Sequence, residues 1–458
     1  VRRLALLAAA VVTCAAARAE EMPPPGALEG RPSTGEGSVL QAAADGTPPG
    51  GTLDVGPGTY RGDLILDHPI RLRGHGRPKL VGSGSGSVVR IRAEGVTVEG
   101  LDLDGRGGGD LGRDSSGVHV AAAGATVRDC RIEGTLFGVY LREAHGAHVS
   151  GTTIRGIPGK DPGEKGSGIH VWNTQRFLLL GNTIADVRDG FYIQSSSGGT
   201  VRGNVVKDVR YGIHYMFSDE NVFEDNTFEN GAAGAALMYS KRLVFRRNRF
   251  LRNRGFASVG LLFKACDDVV AEDNLIADNA RGFFLEGSYR NVLRRNVVAG
   301  SDVAIVLYDS CGENRIQGNA FLGNMTPLTL VGRRTDTVFD GNFWSDNDEP
   351  DLDGDGISDR PHRLSSVFDH LRGNLTAADL LTDSLGAAAL GMAERTLPIL
   401  QAVQAEDRRP LVRPPTLPGV PDGSRRRGRM HAGGLVVSLG SLAAGAATVL
   451  TGRRRVRP

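Results

Sequence analysis

His214, Met216 and Met238 stand in two short runs, Gly212-Ile-His-Tyr-Met and Gly234-Ala-Ala-Leu-Met, that start 22 residues apart. Thioether and imidazole donors together suit a soft monovalent ion such as Cu(I), whereas Mg, Ca or Mn would call for oxygen ligands. His170 occupies the equivalent place in Gly168-Ile-His-Val, and His119 in Gly117-Val-His-Val. The chain holds only 6 Met and 10 His, so two of each in four successive repeats requires a cause. Trp172, Tyr192, Leu262 and Phe284 share the stripe, and an aromatic, Met-bearing stripe is equally the composition of an adaptable protein-contact surface. The residue types leave both readings open, and a copper-donating surface would satisfy both.

These residues are placed by a repeat. A glycine is followed 14 positions later by an asparagine at Gly168/Asn182, Gly190/Asn204, Gly212/Asn226, Gly234/Asn248, Gly260/Asn274 and Gly282/Asn296. Asn319 and Asn342 continue the series at spacings of 23, and the step of 26 between Asn248 and Asn274 implies a four-residue insertion. A period this short, with β-rich runs between Gly, Asn and Asp turns and no room for a helix, predicts an all-β fold. The expected form is a right-handed parallel β-helix with two or three strands per coil over residues 36–345. The leucine-rich-repeat pattern is absent. Leu53 to Gly105 reads as the first coils, Ser38 to Ala44 as a helix capping the open end, and Pro158 to Lys165 as a polar loop.

Side chains alternate across a strand, so the first and third positions after each glycine share one face. Those positions are Ile169, Val171; Phe191, Ile193; Ile213, Tyr215; Ala235, Leu237; Leu261, Phe263, which is the expected core. The second and fourth positions are Tyr140, Arg142; His170, Trp172; Tyr192, Gln194; His214, Met216; Ala236, Met238; Leu262, Lys264; Phe284, Glu286, expected to face out. Coils stack about 4.8 Å apart and alternate residues of a strand lie about 6.7 Å apart, making His214, Met216 and Met238 neighbours. His170 then lies two coils from His214 across Tyr192 and is expected to help hold the ion. The asparagine column is expected to form a structural amide ladder.

A second motif offers harder donors. Asp351, Asp353, Asp355 and Asp359 fall at positions one, three, five and nine of a loop with Gly356 at six, the spacing of a Ca²⁺ loop. Position twelve is His362 rather than glutamate, so this is no ordinary EF-hand. The expectation is a calcium-type loop over 346–362 that staples the last coil to the C-terminal segment.

The termini carry their own signals. Arg2, Arg3, the apolar run from Leu4 to Ala17 and Ala17-Arg18-Ala19 read as a secretory signal over 1–19. Residues 363–409 read as a short helical C-terminal extension, 410–432 as a Pro/Arg-rich linker, and 433–451 as a membrane anchor. Arg453, Arg454, Arg455 and Arg457 after the anchor place its end in the cytoplasm and the solenoid outside it. Lys and Arg total 54 against 52 Asp and Glu, so nothing argues for nucleic acid. Export would leave Cys130, Cys266 and Cys311, an odd set on separate repeats with no disulfide framework; Cys266 and Cys311 read as buried small residues.

No phosphate-binding G-x-x-x-x-G-K-[ST] run, H-E-x-x-H or G-x-S-x-G occurs, and an accessory role without catalysis is expected. The main alternative is a carbohydrate-active β-helix, a polysaccharide lyase or epimerase, or a sugar-binding surface protein. Such chemistry requires Asp, Arg and His clustered in neighbouring coils, and the outward column places Arg142 and Glu286 far apart.

Pro57-Gly-Thr-Tyr, Tyr211-Gly-Ile-His-Tyr-Met, Ala236-Leu-Met-Tyr-Ser, and Gly341-Asn-Phe-Trp-Ser-Asp leading into Asp351-Leu-Asp-Gly-Asp-Gly-Ile-Ser-Asp-Arg-Pro resemble the NosD family of nitrous oxide reductase maturation proteins over roughly residues 36 to 400. The resemblance implies a periplasmic, copper-handling β-helix that works with the ATPase and membrane subunits of an ABC transporter and with a copper chaperone. It would supply copper to apo nitrous oxide reductase. His214, Met216 and Met238 match the family's motif; their role as ligands is read from the column.

Overall fold

The computed structural model describes residues 38–107, 115–255, 258–332, 335–364, 384–386, 389, 393 and 405–416. The expected signal at 1–19 and anchor at 433–451 lie outside the described residues, as do most of 363–409 and of the linker at 410–432. Among the described residues no helix is long and apolar enough to cross a membrane.

Each coil contributes three strands, so the described chain forms three parallel sheets of 15, 13 and 12 strands, the first closed by one antiparallel pairing. The first and second sheets use strands of about three residues, such as Val222–Glu224 and Thr227–Glu229, and the third uses longer ones such as Tyr211–Met216. Every third-sheet strand pairs in register with its counterpart one coil on: His214 lies beside Tyr192 and Ala236, and Met216 beside Gln194 and Met238. The helix at the open end is Ser38–Asp45. Its Gln41 side chain takes both the N–H and the C=O of Ile65, 2.8 and 2.9 Å, and so satisfies an edge strand.

The inward face is as the alternation requires. Phe191, Ile213, Tyr215, Leu237, Leu261 and Phe263 are fully buried, together with Phe223 and Phe245 of the first sheet and Phe228 and Phe250 of the second. Burying each such ring contributes roughly 1.5–3 kcal/mol. The glycine column is needed for contact rather than for a special turn: a Cβ on Gly212 would sit 2.6 Å from Cδ1 of Phe228, and one on Gly234 2.6 Å from Cδ1 of Phe250. The third sheet thus lies directly on the phenylalanines of the second.

The asparagines from Asn182 to Asn342 form a continuous buried ladder. Each side-chain amide donates to the carbonyl oxygen of the next coil's amide at 2.9–3.1 Å. Asp407 ends the ladder, accepting from the Asn342 amide at 2.8 Å and from Trp344 Nε1 at 3.1 Å. Shorter ladders that a single glycine-to-asparagine register does not reveal run through Asn253 and Asn279 and through Asn291 and Asn314. On the outside, Arg246 bridges Glu224 and Glu272 at 3.1 and 2.6 Å, tying three coils together.

Within 363–409 the described residues Leu385, Gly386, Ala389 and Ala393 are helical, as expected, and strand is added at the two ends: His362–Arg363 pairs antiparallel with Glu406–Asp407, which also adds to the first sheet beside Phe339. The physical reason is the open end of the amide ladder, which the Asp407 carboxylate fills.

Candidate metal centre

The third sheet presents three outward columns. Along its middle column runs a continuous stack of rings, His119, Tyr140, His170, Tyr192 and His214, with successive centroids 5.1, 4.6, 4.5 and 4.9 Å apart. After His214 the column drops to Ala236, which has no bulk beyond Cβ. His214, Met216 and Met238 therefore occupy three corners of a two-by-two lattice whose fourth corner is Ala236. Imidazole and thioether side chains can converge over that small residue. The His214 side chain is 15% exposed, and Met216 and Met238 are half-buried, so the donors are accessible without being solvated on all sides.

The structure separates His170 from this group, contrary to expectation. The ring of Tyr192 lies between it and His214, and His170 is only 3% exposed, packed edge-on against Phe137 as well. Neither ring nitrogen has a hydrogen-bond partner, and burial drives its pKa down to about 3. His119 behaves alike: burial lowers it to about 4 and its Nε2 is unpartnered. An outward position is exposed only if its neighbours are small, and here aromatic neighbours bury it.

The column of residues preceding each glycine holds what the repeat pattern did not mark. Asp189 there is wholly buried, and Arg210 grips it with Nε to Oδ1 at 3.0 Å and Nη2 to Oδ2 at 2.9 Å. Arg188 Nε and His214 Nδ1 each lie 3.3 Å from Oδ2. Burial alone would raise the Asp189 carboxyl, but the His214 and Arg210 contacts outweigh it and hold it at about 2. Arg210 also lies over the ring of Tyr211, 4.4 Å from its centroid, and Tyr211 meets His214 edge-on at 5.3 Å. Asp, Arg and His do therefore cluster in neighbouring coils, and that objection to the carbohydrate alternative falls. Aligning the residue before each glycine would have exposed the lone acid among Ser167, Tyr211 and Ala233.

Beyond Met216 and Met238 the chain turns through Phe217 and Tyr239, whose rings stack at 5.2 Å while 55% and 49% exposed. Both are left-handed, φ 50° and 52°, at a place where other coils use Glu143, Asn173, Ser195 or Gly287. Beside the site, an open cleft of about 650 Å³ lies between the loop at Pro162 and Lys165 and the inserted segment at Arg252 and Arg254, with Arg210 and Tyr211 on its floor.

In the acidic loop, one carboxylate oxygen from each of Asp351, Asp353 and Asp355 lies within 4.8 Å of the others. Asp359 instead accepts from the Leu352 N–H at 2.6 Å. Ser358 N–H to Pro410 C=O and Val412 N–H to Gly356 C=O pin the loop to the returning chain. Cys130, Cys266 and Cys311 are buried and free. Cys266 pairs in register with Ser240 and takes the place of a ladder serine.

Residues 150–349 match the family described as NosD, periplasmic copper-binding protein. Two curated proteins named probable ABC transporter binding protein NosD are similar. The one from Stutzerimonas stutzeri is 32% identical over 119 residues, 25% of this chain and 27% of that protein. The one from Pseudomonas aeruginosa is 32% identical over 123 residues, 26% and 29% respectively. The matched stretches thus span less than a third of either relative. Among solved structures, the A-module of the mannuronan C-5 epimerase AlgE6 of Azotobacter vinelandii superposes with a TM-score of 0.54 at 14% identity, covering 65% of this chain and 93% of that one; at such identity the likeness concerns the fold. The matched residues 150–349 contain both His-Met runs, so it is this stretch of the solenoid that is similar to the NosD family.

Proposed function

We propose that this protein is a periplasmic copper-handling accessory protein that accepts Cu(I) at His214, Met216 and Met238 and passes it to apo nitrous oxide reductase. The observation that carries the reading is the lattice itself: one imidazole and two thioethers on adjacent coils around Ala236. Such donors favour a soft monovalent ion over the hard divalent ones. Three donors at the surface leave the ion open on its outer side, so an incoming ligand from a partner can displace them one at a time. His170, buried behind Tyr192, stays outside the donor set. The family descriptions support copper binding, a periplasmic setting and work with an ABC transporter. The ATPase and membrane subunits of that transporter and a copper chaperone are the partners we assign. Anaerobic Cu(I) titration of the solenoid against a competing chelator tests the site, and a strain lacking the gene should export reductase devoid of copper; fully metallated reductase would contradict the role.

The Asp351, Asp353 and Asp355 carboxylates, with Asp359 bracing the loop, are proposed to hold Ca²⁺ as a clamp on the returning chain, since hard oxygens converge there. A thermal midpoint unmoved by Ca²⁺ or by chelator would refute this.

One observation favours the carbohydrate reading as a second possibility: the Asp189, Arg188, Arg210 and His214 cluster beside an open cleft. It is the weaker reading because Arg210 already spends two N–H groups on Asp189, leaving less to neutralise a uronate. Ultraviolet detection of unsaturated products from uronate polymers decides it.

A further inference from the structure

We propose that Asp189 is the positioning residue of the copper site, fixing His214 in the tautomer that carries its proton on Nδ1 and leaves the Nε2 lone pair free for the metal. The inference rests on the copper reading above. It starts from a placement that stability alone does not explain. Asp189 is wholly buried in a column whose nearest positions are Ser167, Tyr211 and Ala233, and a buried carboxylate costs several kcal/mol unless fully paired. Arg210 with its two bonds would pair it, and Arg188 adds a third contact. The carboxylate nonetheless also faces Nδ1 of His214 at 3.3 Å.

The chemistry of that contact has one direction. Between two guanidinium groups Asp189 is ionised, and an ionised carboxylate only accepts hydrogen bonds. Nδ1 must therefore carry the proton, and in a neutral imidazole the other nitrogen then bears the lone pair. Metal-bound histidines commonly give their second N–H to a carboxylate in this way, which orients the ring and raises its basicity. The guanidinium groups complete the device by holding the carboxylate still. Tyr192 and Tyr211, edge-on at 4.9 and 5.3 Å, hold the ring from two sides.

The test combines nitrogen-15 NMR of the histidines with anaerobic Cu(I) titration. In the apo protein His214 should show a single tautomer protonated at Nδ1. In Asp189→Ala it should become a mixture, and Cu(I) affinity should fall about 10- to 100-fold with His119 and His170 unchanged. Asp189→Asn should recover part of the affinity. Its oxygen, placed at Oδ2, still accepts from His214, Arg188 and one Arg210 N–H, while its NH2 group opposes the Arg210 Nε–H, which makes the recovery partial. A purely structural role would not sort the variants by their capacity to accept from Nδ1. An Nε2-protonated His214 in the parent overturns the proposal even if Asp189→Ala fails to fold. Equal affinity of Asp189→Ala and parent overturns it while leaving the copper reading intact. A parent that binds no Cu(I) overturns both.

Discussion

Replacing His170 with Phe separates its two conceivable roles, ligand and buried spacer. The ring lies between Tyr140 and Tyr192, is 3% exposed, and neither nitrogen has a partner. Phe therefore removes no hydrogen bond, and at neutral pH stability should stay within about 1.5 kcal/mol of the parent, the scale of a tolerated apolar swap. Acid conditions reveal the imidazole. Its folded pKa, about 3, lies below the ordinary value of 6.5, so between those values the unfolded chain binds more protons than the folded one. Its stabilising contribution is complete above the unfolded pKa and is lost as pH falls from 6.5 toward 3. At about pH 4.5, two units below the unfolded value, the loss is on the order of 2–3 kcal/mol, and His119, depressed to about 4, adds a loss of similar size. Urea unfolding near pH 7 and pH 4.5 should show the parent losing roughly 5 kcal/mol and His170→Phe about half of that. Cu(I) affinity should be unchanged in the variant. An equal acid loss in both proteins would refute the burial argument, and weakened copper binding would return His170 to the donor set.

Three further outcomes are set by the same geometry. Asn226→Ala strips the Asn204 N–H of its partner and takes one of the donors from the Val201 C=O, which stays in its sheet; at about 1–3 kcal/mol for the buried orphan it should cost at least that much in urea unfolding, and a cost below about 1 kcal/mol would show that the ladder is not what holds the turns. Cys266→Ser, the residue its register partner Ser240 already uses, should be neutral within about 1 kcal/mol. The thiols of Cys130 and Cys266, whose pKa burial pushes up to about 12, should resist a thiol reagent until the protein unfolds; prompt labelling of either would contradict their burial.

Much of the fold was legible because it is built from identities that recur. Asn204, Asn226 and Asn248 each do the same thing one coil apart, so the spacing alone revealed the ladder and, with it, which residues face in and which face out. The lattice of His214, Met216 and Met238 was legible for the same reason, since register converts a 22-residue spacing into adjacency. What the repeat could not tell is how neighbours modify a position. His170 sits on the outward face yet is buried, because Phe137, Tyr140 and Tyr192 close over it. Asp189 occupies a column with no repeating chemistry, so no pattern marked it, although it touches His214 directly. The strand at Glu406–Asp407 escaped notice because two residues carry no periodicity; its place is set by an exposed ladder end 65 residues earlier in the chain.

One imidazole and two thioethers on adjacent coils are proposed to hold Cu(I). The most direct measurement is anaerobic Cu(I) titration, against a competing chelator, of the parent and of the triple variant His214→Ala, Met216→Leu, Met238→Leu. The leucines keep the apolar volume of the methionines, so the solenoid should unfold at nearly the same denaturant concentration. The parent should hold one Cu(I) tightly and the variant should lose it; equal affinity in the two proteins would refute the assignment.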